Sequence, residues 1–250
     1  MKQDTSWGEV AEWYNDVVED ANSFQNKILM PNLLRLLAIT KGEKVLDHAC
    51  GQGFFARAYA EAGANVVATD ISPELISIGK QKGPETIDYR VAKGQELGFL
   101  TGGSIDKGSC VLALQNIKPY QEVLTEISRV LRVGGRFYLV LNHPAFRIPR
   151  ASEWGYDEKN GIQYRRLDSY LSESRVEIVM DPGKTGREKT VSFHRPLQMY
   201  FKAFQKAGLA VTRLEEWTSH KESDSGPRAG AENRARSEFP LFMMIELAKI

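Results

Sequence analysis

The chain has 250 residues, a net charge of +1, 42% hydrophobic and 26% charged residues, which is the balance of one soluble globular domain with additions. Near-neutral charge gives no electrostatic footprint for a nucleic-acid backbone or an anionic membrane. No apolar run approaches the ~20 residues of a membrane helix, the first residues lack the apolar core of a signal peptide, and Cys50 and Cys110 are too few for a disulfide framework or a metal set. A cytoplasmic protein without a metal is expected.

In chain order, Val10, Trp13, Tyr14, Val17 and Val18 recur at helical spacing and predict an amphipathic first helix. Pro31 opens a second, apolar helix that runs to Ile39. Val45 and Leu46 then form a buried strand that ends at Asp47 and enters a turn with Gly51 and Gly53. Glycine there permits positive φ and close approach of a ligand to the backbone. The helix from about Phe54 to Ala62 aims its unpaired N–H groups at whatever lies over the turn, and Gly63 caps it. A second strand, Ala64 to Asp70, places an acid roughly 20 residues past the glycines, the separation of a ribose-binding carboxylate in a βαβ unit. Ser72 and Pro73 read as N-cap and first residue of a helix to Lys82, and Thr86 to Val91 is the third strand.

Ile105 to Ala113 is expected as a fourth strand, although Lys107-Gly108-Ser109 makes it polar. Pro119 opens a helix with Val123, Leu124, Ile127, Val130 and Leu131 on one face; Arg132 to Gly135 closes it, and Phe137 to Leu141 is the fifth strand. From Asn142 to Arg195 that pattern breaks into short alternating runs (Gln163 to Tyr170, Arg175 to Met180, Thr190 to His194) around a Pro-Gly turn. Pro196 to Ala207 returns to helix, and Leu209 to Trp217 and Phe242 to Ala248 read as two last strands. Between those strands, Thr218 to Phe239 is polar and predicts a mobile loop.

The order of acid, Cys50-Gly51-Gln52-Gly53 turn and second acid resembles the class I S-adenosylmethionine-dependent methyltransferases. So do Leu131-Arg-Val-Gly-Gly-Arg136, the Trp13-Tyr14-Asn15 segment, and Tyr89 to Phe99, which is similar to the family's adenine loop. The resemblance is close over residues 40 to 142. It implies an α/β fold with a seven-stranded, mostly parallel, doubly wound Rossmann-like sheet. Within one domain it implies an N-terminal helical cover (1–40), a cofactor-binding core (41–141), a cap inserted after the fifth strand (142–195), and a C-terminal helix and strand pair (196–250) with the mobile loop at 218–239. It implies S-adenosylmethionine as cofactor, held by Asp47, Ala49, Gly51, Gly53, Asp70, Ile71, Lys93, Gly94, Gln95, Leu112 and Gln115. Two positions depart from the pattern. Asn15 stands where the family has Asp, and Lys93 stands where it has an acid for the adenine amino group, which lysine cannot accept.

Methyl transfer is an in-line displacement, so alignment dominates and a base is needed only for a protonated nucleophile. His143, His194 and Tyr14 lie on segments expected to overhang the cofactor and are expected to converge in one pocket, with His143 favoured as base. The acceptor is expected to be a small molecule methylated at O or N, and an anionic group on it would lie near Arg147 or Arg195. Five basic residues of the insertion (Arg147, Arg150, Arg165, Arg166, Arg195) could clasp a carboxylate or phosphate. However, the insertion holds ten Lys/Arg and eight Asp/Glu, a balance that equally describes a solvated surface. The alternatives are methylation of RNA or protein, a cofactor-binding protein without catalysis, and a dinucleotide oxidoreductase. Oligomeric state is left open.

Overall fold

A computed structural model describes residues 17–179 and 189–250, so Tyr14 and the rest of the Trp13-Tyr14-Asn15 segment lie outside the described residues. Seven strands form the central sheet: β1 (Lys44–His48), β2 (Asn65–Asp70), β3 (Asp88–Val91), β4 (Ile105–Val111), β5 (Leu131–Asn142), β10 (Leu209–Trp217) and β11 (Phe242–Lys249). Their order is β10-β11-β5-β4-β1-β2-β3. The register is parallel from β3 through β5, and β11 runs antiparallel between β5 and β10. This is the mostly parallel, doubly wound α/β sheet that the sequence predicts.

Alternate residues of the inner strands feed two cores, as the period of a pleated strand requires. Val45, Val66, Ala68, Tyr138, Val140 and Met244 pack with α1 (Met30–Leu37), α2 (Phe54–Glu61) and Ile76 of α3 (Pro73–Lys82). Leu46, Val67, Phe137, Leu139, Leu141, Met243 and Ile245 pack on the opposite face with α4 (Tyr120–Val130) and α5 (Leu197–Lys206). Strands buried on both faces read as near-continuous apolar runs, as β1 and β2 do. A π-helical turn, Gln25–Leu29, leads into α1.

The polar look of β4 has a packing explanation. Lys107 Nζ bonds Glu43 at 2.7 Å, Ser109 Oγ and the Tyr59 hydroxyl lie 2.9 Å apart, and a Cβ on Gly108 would come within 2.9 Å of the Phe137 ring. Several boundaries differ from expectation, including the end of β4 at Val111 instead of Ala113. β3 starts at Asp88, and β5 starts at Leu131, because Arg132 to Gly135 continues as strand instead of only closing α4.

The insertion forms two separate hairpins. β6 (Ser152–Asp157) pairs with β7 (Ile162–Leu167), and β8 (Ser174–Val179) pairs with β9 (Lys189–His194). β6 was not expected; its Gly155 has no side chain because the Tyr164 ring fills that space. The expected mobile loop is corrected too. Ala229–Glu238 is a helix, α6, with Ala235 buried. Its polar composition carries no apolar stripe, although Ala, Glu and Arg are good helix formers. Phe239 after α6 meets Phe146 and Trp154 edge-on, with ring centroids 5.4 Å apart in each pair. Among the described residues no helix is long and apolar enough to cross a membrane, and no cluster of metal-ligating side chains occurs.

Candidate active site

The β1 tip turns through three left-handed residues, Ala49 (φ 55°), Gly51 (φ 57°) and Gly53 (φ 78°). Their strain is held by surrounding bonds: Cys50 N–H donates to Thr69 O on β2, and Gly51 N–H donates to Asp70 Oδ2, both at 2.9 Å. Asp70 Oδ1 accepts from Ser72 N–H at 2.9 Å. The Asp70 carboxylate is therefore fixed at the strand end with acceptor capacity left on each oxygen. Burial raises its pKa, and these backbone donors oppose the rise. Gly53 serves packing: a Cβ there would overlap the Tyr89 hydroxyl at 2.2 Å.

Over this turn lies a cavity of about 370 Å³ at the carboxyl ends of β1, β2 and β4. Ala49, Gly51, Asp70, Ile71, Lys93, Gly94, Gln95 and Leu112 line it, as expected, and Thr190 and Val191 of β9 close one side. Lys93 Nζ is bound by Glu96 at 2.9 Å, so its ammonium has a partner within its own loop. His48 also lines the cavity, which the sequence reading did not foresee. Burial lowers its pKa to about 4, so its ring is neutral, and its Nε2 has no hydrogen-bond partner among the described residues. A Cβ on Gly94 would stand 3.2 Å from that nitrogen, so glycine lets the loop close over the ring.

Ala49 and Val111 are shared with a small adjoining cavity of about 20 Å³ where Asp47 lies. Asp47 is 1% exposed, its Oδ2 has no partner among the described residues, and burial raises its pKa to about 7. A buried carboxylate oxygen without a donor is costly unless a ligand completes it. Thus the combined space offers a fixed ribose acceptor at Asp70, an acceptor for a cation at Asp47, and an apolar and amide edge at Ile71 and the Ala92–Gln95 segment. These features fit S-adenosylmethionine: Asp70 would hold the ribose, Asp47 the amino group, and the Lys93–Gln95 loop the adenine.

A second cavity of about 270 Å³ lies under the cap. Gln115, expected with the cofactor, lines this second cavity; its Nε2 donates to Leu112 O at 2.8 Å and its buried Oε1 has no partner among the described residues. Ser192, Phe193 and His194 of β9 line it as well, so β9 faces one cavity with its first residues and the other with its last. His194 Nε2 lies 2.7 Å from Tyr170 O. A carbonyl only accepts, so Nε2 carries a proton and Nδ1 is the nitrogen left for another partner.

The expected convergence of the two histidines is not what the structure shows. His143 is buried beside β10, with Nε2 2.7 Å from Glu216 Oε1, and its Nδ1 accepts from the N–H groups of Ala145 (3.2 Å) and Phe146 (3.3 Å). Both ring nitrogens are used in joining the cap to the sheet. Desolvation lowers its pKa against the opposing pull of Glu216. Arg195 is also engaged: its guanidinium donates to the carbonyls of Ile117 (2.8 Å), Lys118 and Leu114 and lies 4.1 Å from the Tyr120 ring centroid.

A doubly wound sheet with its last strand reversed, an acid at each of its first two strand tips and a glycine turn between them defines the class I, Rossmann-like methyltransferase architecture. Residues 46–139 match a family model described as a methyltransferase domain. An S-adenosylmethionine-dependent methyltransferase from Mesorhizobium loti is 26% identical, with a TM-score of 0.69 over 87% of this chain and 96% of that one. A ubiquinone biosynthesis O-methyltransferase from Xanthomonas oryzae is 33% identical over 101 residues, 39% of this chain and 42% of that protein. A demethylmenaquinone methyltransferase from Paenarthrobacter aurescens is 33% identical over 148 residues, 58% of this chain and 57% of that protein. The chain thus spans about half the length of the curated relatives it matches. Residues 46–139 are therefore a methyltransferase domain with the class I, Rossmann-like fold, and S-adenosylmethionine is the cofactor that this family match and structural likeness support.

Proposed function

We propose that this protein transfers a methyl group to an oxygen or nitrogen of a small-molecule acceptor bound in the second cavity. The observation that carries the reading is the pair of cavities on the two ends of β9, one built for the cofactor and one roofed by the cap. Bound cofactor supplies an electrophilic methyl on a sulfonium. The residues of the chain then act by alignment, which converts a bimolecular encounter into an oriented one. Gln115, on the turn that follows β4, is placed to orient the acceptor through its free carbonyl oxygen. As an acceptor hydroxyl oxygen takes the methyl, its proton must leave, and His194 Nδ1 is the candidate to receive it. His143 is a positioning residue in this reading.

A cavity covered by two hairpins favours a small acceptor over an RNA or protein chain, and the quinone-pathway names of the relatives point the same way. Cys50 and Cys110, both free and buried, accord with a cytoplasmic setting. The test is formation of S-adenosylhomocysteine by mass spectrometry across a panel of hydroxyl- and amine-bearing metabolites. With an active hydroxyl acceptor, His194→Ala should lower kcat by roughly 10²–10⁴-fold, the range for a general base, without changing affinity for S-adenosylhomocysteine. His143→Ala should reduce thermal stability more than kcat. Cofactor binding with no product on a broad panel would favour a non-catalytic binding protein.

A further inference from the structure

We infer that the acceptor carries an oxyanion, a carboxylate or a phosphate, held between Arg147 and Arg165 of the cap. This rests on the reading of the second cavity as the acceptor site. Four arginines line that cavity (Arg147, Arg150, Arg165 and Arg195), and among the described residues no Asp or Glu does. The near balance of charge over the whole insertion hides this segregation. Arginines on the outer surface have carboxylate partners: Arg166, next to Arg165 on β7, pairs with Glu153 at 2.8 Å and Asp168 at 3.0 Å, and Arg228 pairs with Glu158. Inside the cavity, among the described residues, the hydrogen-bond acceptors of the arginines are neutral oxygens and none forms an ion pair, although the charge of Glu153 reaches Arg165 and that of Arg150 reaches Glu177.

Those neutral bonds hold the two guanidinium groups in place. Arg165 Nε donates to Phe146 O and its Nη2 to Ser152 Oγ, both at 2.8 Å, while its plane lies 5.0 Å from the Trp154 ring centroid. Arg147 Nη1 donates to Asn142 Oδ1 at 2.9 Å. Arg195 is spent on backbone carbonyls, and Arg150 donates to Glu177 O at 3.2 Å with its charge felt by the Glu177 carboxylate, whereas the charge of Arg165 acts on Arg147. Arg147 retains exposed surface, yet loss of water lowers its pKa and the charge of Arg165 lowers it further. A cation that is both reachable and crowded faces the inside of a concave wall. Two like charges so placed are unfavourable until a counter-charge arrives. Planar, fixed guanidinium groups suit carboxylate or phosphate oxygens. At about 270 Å³ the cavity is also at the small end for ligand sites.

The probes are 4-hydroxybenzoate, 4-hydroxyphenyl phosphate and the uncharged 4-hydroxybenzamide, titrated by calorimetry into protein saturated with S-adenosylhomocysteine. At least one anion should bind tenfold or more tighter than the amide, and which anion wins distinguishes carboxylate from phosphate. Arg147→Gln and Arg165→Gln should each erase most of that preference, while Arg166→Gln keeps it and all three retain S-adenosylhomocysteine affinity. Equal binding of the amide, no binding of either anion, or a preference that survives both cavity substitutions would overturn the oxyanion site. The wild-type comparison stands even if a variant fails to fold. Methylation of neutral acceptors as efficiently as anionic ones would sink this inference and leave the methyltransferase reading intact. Anion binding without cofactor binding would do the reverse.

Discussion

Asp70 joins two functions in one carboxylate. It ties the glycine turn to α3 through Gly51 and Ser72 N–H groups, and it presents its remaining lone pairs to the cofactor cavity. Asp70→Asn keeps the shape but replaces one acceptor oxygen by a donor facing an N–H group. S-adenosylhomocysteine affinity should fall by about 1–3 kcal/mol, the cost of losing a hydrogen bond to a charged group. Lys93→Ala should change affinity little, because the Lys93 ammonium is already occupied by Glu96. Calorimetry on the two variants checks both statements, and an Asp70→Asn protein that folds and binds normally would refute the ribose assignment. At this scale the sequence is legible where chain spacing fixes geometry. Asp70, Gly51, Ile71 and Gly94 reach the cavity because a βαβ unit leaves them no other place. Gly53 does not line that cavity, and the space of its missing side chain is filled by Tyr89, a neighbour 36 residues away in sequence whose ring position no local pattern reveals. His48 was passed over for the same reason, since its alternate facing on β1 becomes meaningful only once Gly94 closes over it.

The elements that were read well are those whose periodicity agrees with their burial. β1, β2, α4 and α5 each show the apolar pattern that their two-sided or one-sided packing demands. The cap elements were harder, because β6 to β8 are mostly half-buried or exposed and leave little periodic signal. α6 is the extreme case, a helix whose docking rests on Ala235 and on Phe239 beyond its end. Phe239 stacks edge-on between Phe146 and Trp154, and thereby joins the C-terminal segment to the hairpin that carries Arg165. Phe239→Ala removes both ring contacts, at about 0.5–1.5 kcal/mol each beyond lost burial. Hydrogen exchange should quicken across β6 and β7 while β1 and β2 stay protected. Unchanged exchange in that hairpin would mean the aromatic contacts do not hold the cap.

At the scale of the whole molecule, the cofactor site is maintained against the stability of the fold. Asp47 is buried without a donor on Oδ2, and its pKa is raised from 3.8 to about 7. The unfolded chain therefore loses this proton near pH 4 while the native protein keeps it to about pH 7. Native protein binds the extra proton throughout that window, so the contribution of Asp47 to stability is fully present below pH 4 and is lost as pH rises through 7. A shift of this size corresponds to something on the order of 2–4 kcal/mol. Asp47→Asn, which cannot ionise, should then be more stable than wild type at pH 8 by that order, with the difference shrinking toward pH 4 in denaturant titrations. Binding reverses the sign. If Asp47 receives the cofactor's amino group, its ionised form is favoured, so binding at pH 6 should release a proton in wild type and none in Asp47→Asn. Calorimetry in two buffers of different ionisation enthalpy reads that release directly. Equal heats in both buffers at pH 6, or an Asp47→Asn protein no more stable than wild type at pH 8, would show that the buried carboxylate is satisfied by something other than the cofactor.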